Sequence, residues 1–192
     1  MTTSVRRATQ ADLPAAVSVL AAAFRDYPWT RWVIPNDDYT HRLAELQEIY
    51  LQLALEHGVV LVDSQVRAVT ALMPPTAPTP PATVQERIAD LHGTRLHAVA
   101  NLDLPASPSD AWILATLGVV PEEQGAGLGT LVTTAALQHL DETGAPRVSL
   151  ETSDARNVTF YERLGFALTD THHTGDGPVV HSMIRNSSPA RS

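Results

Sequence analysis

The chain has 192 residues, a net charge of −8 at pH 7 and no cysteine. That length suffices for one α/β domain with a sizeable core, and the missing cysteine excludes disulfides, thiolate metal sites and cysteine nucleophiles. The acidic charge argues against a nucleic-acid partner. The sequence has neither the run of about 20 apolar residues that spans a membrane nor the apolar core of a signal peptide. We therefore expect a cytoplasmic protein without nucleic-acid or membrane partners.

Hydrophobic periodicity and turn residues predict a strand, two helices and a hairpin in the first half of the chain. Thr9 and Asp12 form a T-x-x-D capping box, which predicts a helix running to about Ala23. Prolines interrupt the aromatic segment Arg25–Pro35, which we predict to be a loop. The other elements predicted here are a strand over Ser4–Ala8, a helix over Asp38–Glu56 and a hairpin of Val59–Val62 with Val66–Met73.

The second half begins with Pro74–Pro81, which can be neither helix nor central strand. A surface connector is the simpler interpretation of this segment, and a flap beside a substrate is the alternative. Trp112–Val120 is almost continuously apolar, as in the middle of a covered sheet. The other predicted elements are helices over Thr83–Asn101 (with a weak point at Gly93), Gly127–Thr143 and Ala155–Leu164, a loop over Leu104–Asp110, and strands over Arg147–Leu150, Phe166–Thr171 and Val179–Ile184. We predict one domain over residues 1–185 and a disordered tail over 186–192.

A glycine-rich loop lies between the buried strand and the helix that begins near Gly127. Its sequence is V-V-P-E-E-Q-G-A-G-L-G over residues 119–129. Glycine allows sharp turns and close approach to a ligand, and a helix N-terminus offers unpaired N–H groups to a phosphate. All 13 basic residues are arginine, so no P-loop lysine is present and backbone groups must do most of the phosphate binding.

A second motif follows about thirty residues later, where Asn157 and Tyr161 are spaced i, i+4 on a short helix. That spacing puts both side chains on one helix face. Taken alone, they could be a capping asparagine and a core tyrosine.

Together, the glycine loop and the A-R-N-V-T-F-Y-E-R-L-G-F segment resemble the two signatures of the GNAT superfamily of N-acetyltransferases. The segments LAAAFRDYP, ELQEIYL, AWILATLGVVPEEQGAGLG and LETSDARNVTFYERLGF further resemble the puromycin N-acetyltransferases and their close relatives. The chain departs from the pattern of that subfamily at Trp29, Trp32, Val33–Asn36 and His172–His181. It departs from the superfamily at Ala126, which stands where many members carry a basic residue.

The resemblance implies a mixed α/β fold with a central sheet of six to seven strands, splayed at the fourth strand and covered by helices on both faces. In the family a bulge splays that strand, and Gly118 is the residue expected to be irregular here. Acetyl-CoA is the implied co-substrate. Its predicted contacts are Leu117, Val119, Gln124, Gly125, Ala126, Gly127, Leu128, Gly129, Thr130, Asn157 and Phe160.

The chemistry implied is attack of an amine on the acetyl carbon, with Tyr161 donating to the departing sulfur and the N–H of Val119 stabilising the oxyanion. Glu151, at the end of the fifth strand, is our candidate for the base that deprotonates the amine, with Glu48 and Asp26 as alternatives. A residue that orients the substrate ammonium, or a structural hydrogen-bond partner, is the other interpretation of Glu151.

An aromatic pocket is predicted for the acceptor. Its candidate residues are Asp26, Tyr27, Trp29, Trp32, Tyr50 and Trp112. For Tyr50 and Trp112, packing in the core is the stronger interpretation. The 8 histidines form no H-x-x-x-H pair with a carboxylate, so no metal is expected.

The predicted acceptor is a small-molecule primary amine, in particular an aminonucleoside antibiotic such as puromycin, with a role in resistance or self-protection. The alternative acceptors are another amine antibiotic, a metabolite or a protein N-terminus. The alternative function is that of a non-catalytic CoA-binding domain. A monomer or a homodimer is expected.

Overall fold

The computed structural model describes residues 3–187. The strands are β1 Val5–Arg7, β2 Val59–Asp63, β3 Ala68–Met73, β4 Trp112–Val119, β5 Arg147–Thr152, β6 Ala167–His173 and β7 Val179–Asn186. They form one sheet in the order β1-β2-β3-β4-β5-β7-β6. Only β4 and β5 are parallel, and all other neighbours are antiparallel. The predicted mixed sheet of six to seven strands is thereby confirmed.

Helices cover both faces of the sheet, also as predicted. They are α1 Leu13–Phe24, α2 Pro28–Val33, α3 Tyr39–His57, α4 Ala82–His92, α5 Leu96–Ala100, α6 Leu128–Glu142 and α7 Ala155–Arg163. Alternate residues of β2 point to opposite faces: Val60 and Val62 pack with α1 and α3, while Val59 and Leu61 pack with α6. Within residues 3–187, no helix combines the length and the hydrophobicity that a membrane crossing requires.

The splay at the fourth strand is present between β4 and β5. Their pairing covers only Trp112 with Val148 and Ile113 with Ser149, after which the two strands diverge. From there on, the edge of β4 that faces β5 has no strand partner among the described residues.

Gly118 is not the irregular residue of β4, so that expectation is wrong. It pairs regularly with Val69, whereas Ala115 is the extra residue between the pairs Ala71–Thr116 and Leu72–Leu114. A Cβ at Gly118 would lie 2.6 Å from Cδ2 of Leu20 in α1. Glycine is therefore needed at this position so that α1 can pack closely on the sheet.

Two further expectations are corrected. The segment Arg25–Pro35 contains α2, because Pro28 occupies the first turn of a helix, where its missing N–H costs no hydrogen bond. Asn186 ends β7, and the N–H of Ser187 donates to the carbonyl of Pro146. Asn186 therefore belongs to the sheet and Ser187 is bonded beside it, while the remainder of the predicted tail, residues 188–192, lies outside the described part of the chain.

Candidate active site

A cavity of about 570 Å³ opens where β4 and β5 separate. Its walls include residues of α2, α3, β4 and β5. Most of the lining side chains are apolar, while Tyr27, Glu151, Asn157 and Tyr161 contribute polar atoms. An apolar pocket with a few convergent polar groups is the usual form of a small-molecule site.

Many of the predicted site residues meet in this cavity. They are Tyr27, Trp29, Tyr50, Leu117, Glu151, Asn157 and Tyr161. Tyr50 retains 45% of its accessible surface, so it belongs to the cavity wall and not to the core. No residue of the proline segment Pro74–Pro81 lines the cavity, although residues before and after it do.

Three residues predicted for the acceptor pocket lie outside the cavity. Trp112 packs into the core against α6 and α7, whereas the following residue, Ile113, lines the cavity, because neighbours on a strand face opposite sides. Trp32 packs beside Trp29 and over Gly177, where an added Cβ would lie 2.6 Å from the indole ring. Asp26 is exposed and forms an ion pair with Arg31 at 2.7 Å.

Glu151 is the one candidate base that lines the cavity. Glu48 lies outside it, on a shallow surface of α3. The hydrogen bond from Arg31 lowers the pKa of Asp26, which makes that carboxylate a weaker base. Among residues 3–187, Glu151 has no such partner. Its side chain is accessible, but the surrounding protein removes part of the water around the carboxylate, and this desolvation raises its pKa.

A hydrogen-bond network ties α2 to the end of β5. The N–H of Ser153 donates to the hydroxyl oxygen of Tyr27 at 2.7 Å, and the hydroxyl of Thr152 lies 2.8 Å from that same oxygen. The N–H of Trp29 donates to Oγ of Ser153 at 3.1 Å, and Nδ2 of Asn157 donates to Oγ1 of Thr152 at 3.1 Å. Thr152, which is 4% exposed, thus connects the aromatic wall to α7.

Tyr161 is held in a fixed orientation beside the separation of the strands. Its ring makes edge-to-face contacts with Phe160 and Phe166, at centroid distances of 5.0 and 5.6 Å. Burial, reinforced by Tyr27, raises the pKa of its hydroxyl. The hydroxyl therefore stays protonated at neutral pH and can act as a hydrogen-bond donor.

The free edge of β4 presents N–H groups to this same space. The N–H of Val120 donates to the carbonyl of Arg67, which lies toward β3. Because successive N–H groups of a strand point to opposite edges, those of Leu117 and Val119 point toward the gap beside β5. The carbonyl of Val119 accepts instead from Nε2 of Gln124 at 3.2 Å.

The glycine loop continues from this edge to the N-terminus of α6. Gly125 and Gly127 adopt the left-handed φ values of 84° and 86°, which favour glycine. A Cβ at either position would meet no protein atom within 4 Å, so the space above both residues is open to a ligand. Four more of the predicted coenzyme contacts lie in or beside this loop. Ala126 and Thr130 are exposed and Leu128 is buried. A Cβ added at Gly129 would lie 3.9 Å from the ring of Phe160.

Sequence reasoning missed Thr152, Ser153 and His92, which all line the cavity. Thr152 and Ser153 follow Glu151 directly at the end of a predicted strand, and this position could have indicated that they belong to the site. For His92 no local signal exists, because the fold of α4 against α2 places it there. Within residues 3–187, no group of three or more His, Asp or Glu residues is arranged to bind a metal ion.

Residues 83–166 match the family model described as the acetyltransferase (GNAT) family. A mycothiol acetyltransferase from Nocardiopsis dassonvillei is 39% identical over 105 residues, which are 53% of this chain and 29% of that protein. The matched segment thus spans less than a third of that relative's length. This relative does not belong by name to the puromycin N-acetyltransferases, which the N-terminal segments resemble. The match therefore leaves the predicted aminonucleoside acceptor untested.

Solved structures resemble the whole chain. A structure described as histone acetyltransferase HPA2 and related acetyltransferase, from Corynebacterium glutamicum, has a TM-score of 0.75 and 25% identity over 100% of both chains. The PaiA N-acetyltransferase from Thermoplasma acidophilum, in complex with coenzyme A, has a TM-score of 0.62 and 15% identity over 97% of this chain and 99% of that chain. The chain therefore has the GNAT fold, and its residues 83–166 match the model of the GNAT acetyltransferase family.

Proposed function

We propose that this protein transfers the acetyl group of acetyl-CoA to the primary amine of a small molecule that carries an aromatic or similarly flat apolar body. The observation that carries the proposal is the cavity between the diverging β4 and β5. It combines a carboxylate of raised pKa, Glu151, with a protonated tyrosine, Tyr161, and a largely apolar wall.

The open space above Gly125 and Gly127 fits a pyrophosphate, which the N–H groups of the first turn of α6 can bind. The N–H groups of Leu117 and Val119 fit the amides of a pantetheine arm that extends along the free edge of β4. In this arrangement the thioester lies near Tyr161, since α7 borders the same gap.

The transfer forms one N–C bond and breaks one C–S bond. Glu151 accepts a proton from the ammonium, directly or through water, so that the amine can attack the acetyl carbon. A backbone N–H on the free edge of β4 that the pantetheine amides leave unpaired donates to the oxyanion of the tetrahedral intermediate. Tyr161 donates a hydrogen bond or its proton to the sulfur as the C–S bond breaks. Because the pKa of its hydroxyl is raised, this donation accompanies bond cleavage and does not precede it.

The aromatic and aliphatic wall supports an acceptor that carries an aromatic group beside its aliphatic amine, such as the aminonucleoside that the sequence resemblance suggests. A second candidate, an acceptor like that of the mycothiol acetyltransferases, is favoured by the 39% identity over 105 residues to one of them. A protein N-terminus would need an open groove, and a pure CoA-binding domain would not need the protonated hydroxyl of Tyr161 beside the gap.

Replacing Gly127 with valine should abolish acetyl-CoA binding as measured by isothermal titration calorimetry. The side chain would occupy the open space above the loop and would disfavour the left-handed backbone. Gly144→Val is the matched control, because Gly144 also has a positive φ of 75° and open surroundings but ends α6 far from the loop along the helix. Unchanged affinity in a folded Gly127→Val protein would contradict the phosphate-binding role.

In a thiol-release assay with acetyl-CoA and aliphatic primary amines that carry an aromatic group, such as puromycin and tyramine, the wild-type protein should turn over at least one amine. Tyr161→Phe should lower kcat by about 10²–10⁴-fold, the usual contribution of a general acid, with acetyl-CoA affinity nearly unchanged. Tyr39→Phe removes the hydroxyl of a buried tyrosine outside the cavity, and should cost about 1 kcal/mol of stability with little effect on kcat. The catalytic role fails if Tyr161→Phe keeps kcat within about threefold while chemistry limits the rate.

The pH dependence of kcat/KM should reveal the raised pKa of Glu151. A base acts in its deprotonated form, so the rate should fall as the pH drops through a pKa above the ordinary value of about 4.3. Glu151→Gln should lower the rate and remove this acidic limb. A raised KM with an unchanged profile would instead assign Glu151 to orienting the ammonium, and unaltered kinetics would remove it from the site.

A further inference from the structure

His92 is a buried polar side chain in the cavity wall that the proposed acetyl transfer leaves without a role. It ends α4, is 7% exposed and lines the cavity. Arg42 of α3 donates to the carbonyls of Asp90 and Leu91, at 2.8 and 3.2 Å, and so fixes the end of the helix that carries it. Its position is therefore set by packing between elements and not by a flexible loop.

One ring nitrogen of His92 is already engaged. Nδ1 lies 2.8 Å from the carbonyl oxygen of Val33, and because a carbonyl can only accept, Nδ1 must carry the hydrogen. In the neutral ring, Nε2 is then an acceptor with a free lone pair. Among residues 3–187, Nε2 has no hydrogen-bond partner.

The surroundings of His92 in the cavity are apolar. Val33, Ile34, Leu43 and Val99 line the same region, and the first three belong to one buried cluster with Leu91 beside His92. A polar atom in such a wall loses free energy unless a partner satisfies it. The lone pair on Nε2 therefore favours a ligand that brings its own hydrogen-bond donor.

Helix α2 sets the separation between His92 and the reacting groups. At one end, the N–H of Trp29 is bound to Ser153, two residues after Glu151. At the other end, the carbonyl of Val33 is bound to His92. Four residues of helix at about 1.5 Å each separate these two attachments by about 6 Å along the helix axis, so His92 and the end of β5 that carries Glu151 lie toward opposite ends of α2.

We propose that His92 is a specificity-determining residue, whose Nε2 accepts a hydrogen bond from a hydroxyl or N–H group at the end of the acceptor opposite its amine. This inference rests on the proposed function and narrows its substrate class to arylalkylamines with a distal hydrogen-bond donor. A histidine that serves only to hold α2 through Val33 would make no such selection.

Equilibrium binding of tyramine and of its O-methyl ether tests the proposal. The two amines differ in that the phenol can donate a hydrogen bond and the ether cannot. Binding is measured calorimetrically on the full chain with CoA in place of acetyl-CoA, so that no turnover is needed. Failure of acetyl transfer would thus count against the proposed function, while this binding comparison would remain decisive for His92.

The wild-type protein should bind tyramine about three- to tenfold more tightly than the ether, as one net hydrogen bond provides. H92N retains an amide N–H that can donate to Val33 but offers nothing in place of Nε2, so the preference should fall to about twofold or less. H92Q, whose longer amide reaches the position of Nε2, should keep part of the preference and guards against misfolding of H92N. Equal binding of the two amines by the wild type, or an undiminished preference in folded H92N, would overturn the proposal.

Discussion

The parallel pairing of β4 and β5 ends after two residue pairs, and the candidate site depends on that separation. Because the strands diverge, the N–H groups of Leu117 and Val119 lack a strand partner within residues 3–187. A polar backbone edge left inside a protein requires another hydrogen-bonding group. The same divergence leaves the cavity below, bordered by Glu151 on one strand and by α7 with Tyr161 on the other side. The free backbone edge of β4, the cavity and the position of Tyr161 beside it thus meet at a single irregularity of the sheet.

The rest of the structure keeps this gap in shape. Thr152 bonds to both Tyr27 and Asn157, so the aromatic wall and α7 are positioned by the same residue at the end of β5. The ring of Tyr161 is fixed between two phenylalanines, which leaves its hydroxyl as the part of the side chain available to a ligand. Catalytic groups placed within fractions of an ångström need such support, because small displacements cost large factors in rate.

The elements that depend on local sequence could be predicted, and those that depend on packing could not. The β-branched strands and the glycines before α6 follow from propensity and from the need for positive φ, and these predictions agree with the structure. Pro28 suggested a loop because its place in a first helical turn was not recognised. The sequence predicts Trp112 in the pocket because, in a strand that is apolar throughout, no alternation of polar and apolar residues shows which side chains face the core. His92 reaches the cavity only through the contact of α4 with α2.

The central claim is that the coenzyme arm pairs with the edge of β4 exposed by the divergence. Residue-resolved amide hydrogen exchange with and without CoA tests it most directly, since exchange reports whether a given N–H is bonded. The account predicts slowed exchange at Leu117 and Val119, together with the first turn of α6, and little change at Val120, which is already bonded to Arg67. Protection limited to α6, with Leu117 and Val119 exchanging as in the free protein, would contradict it.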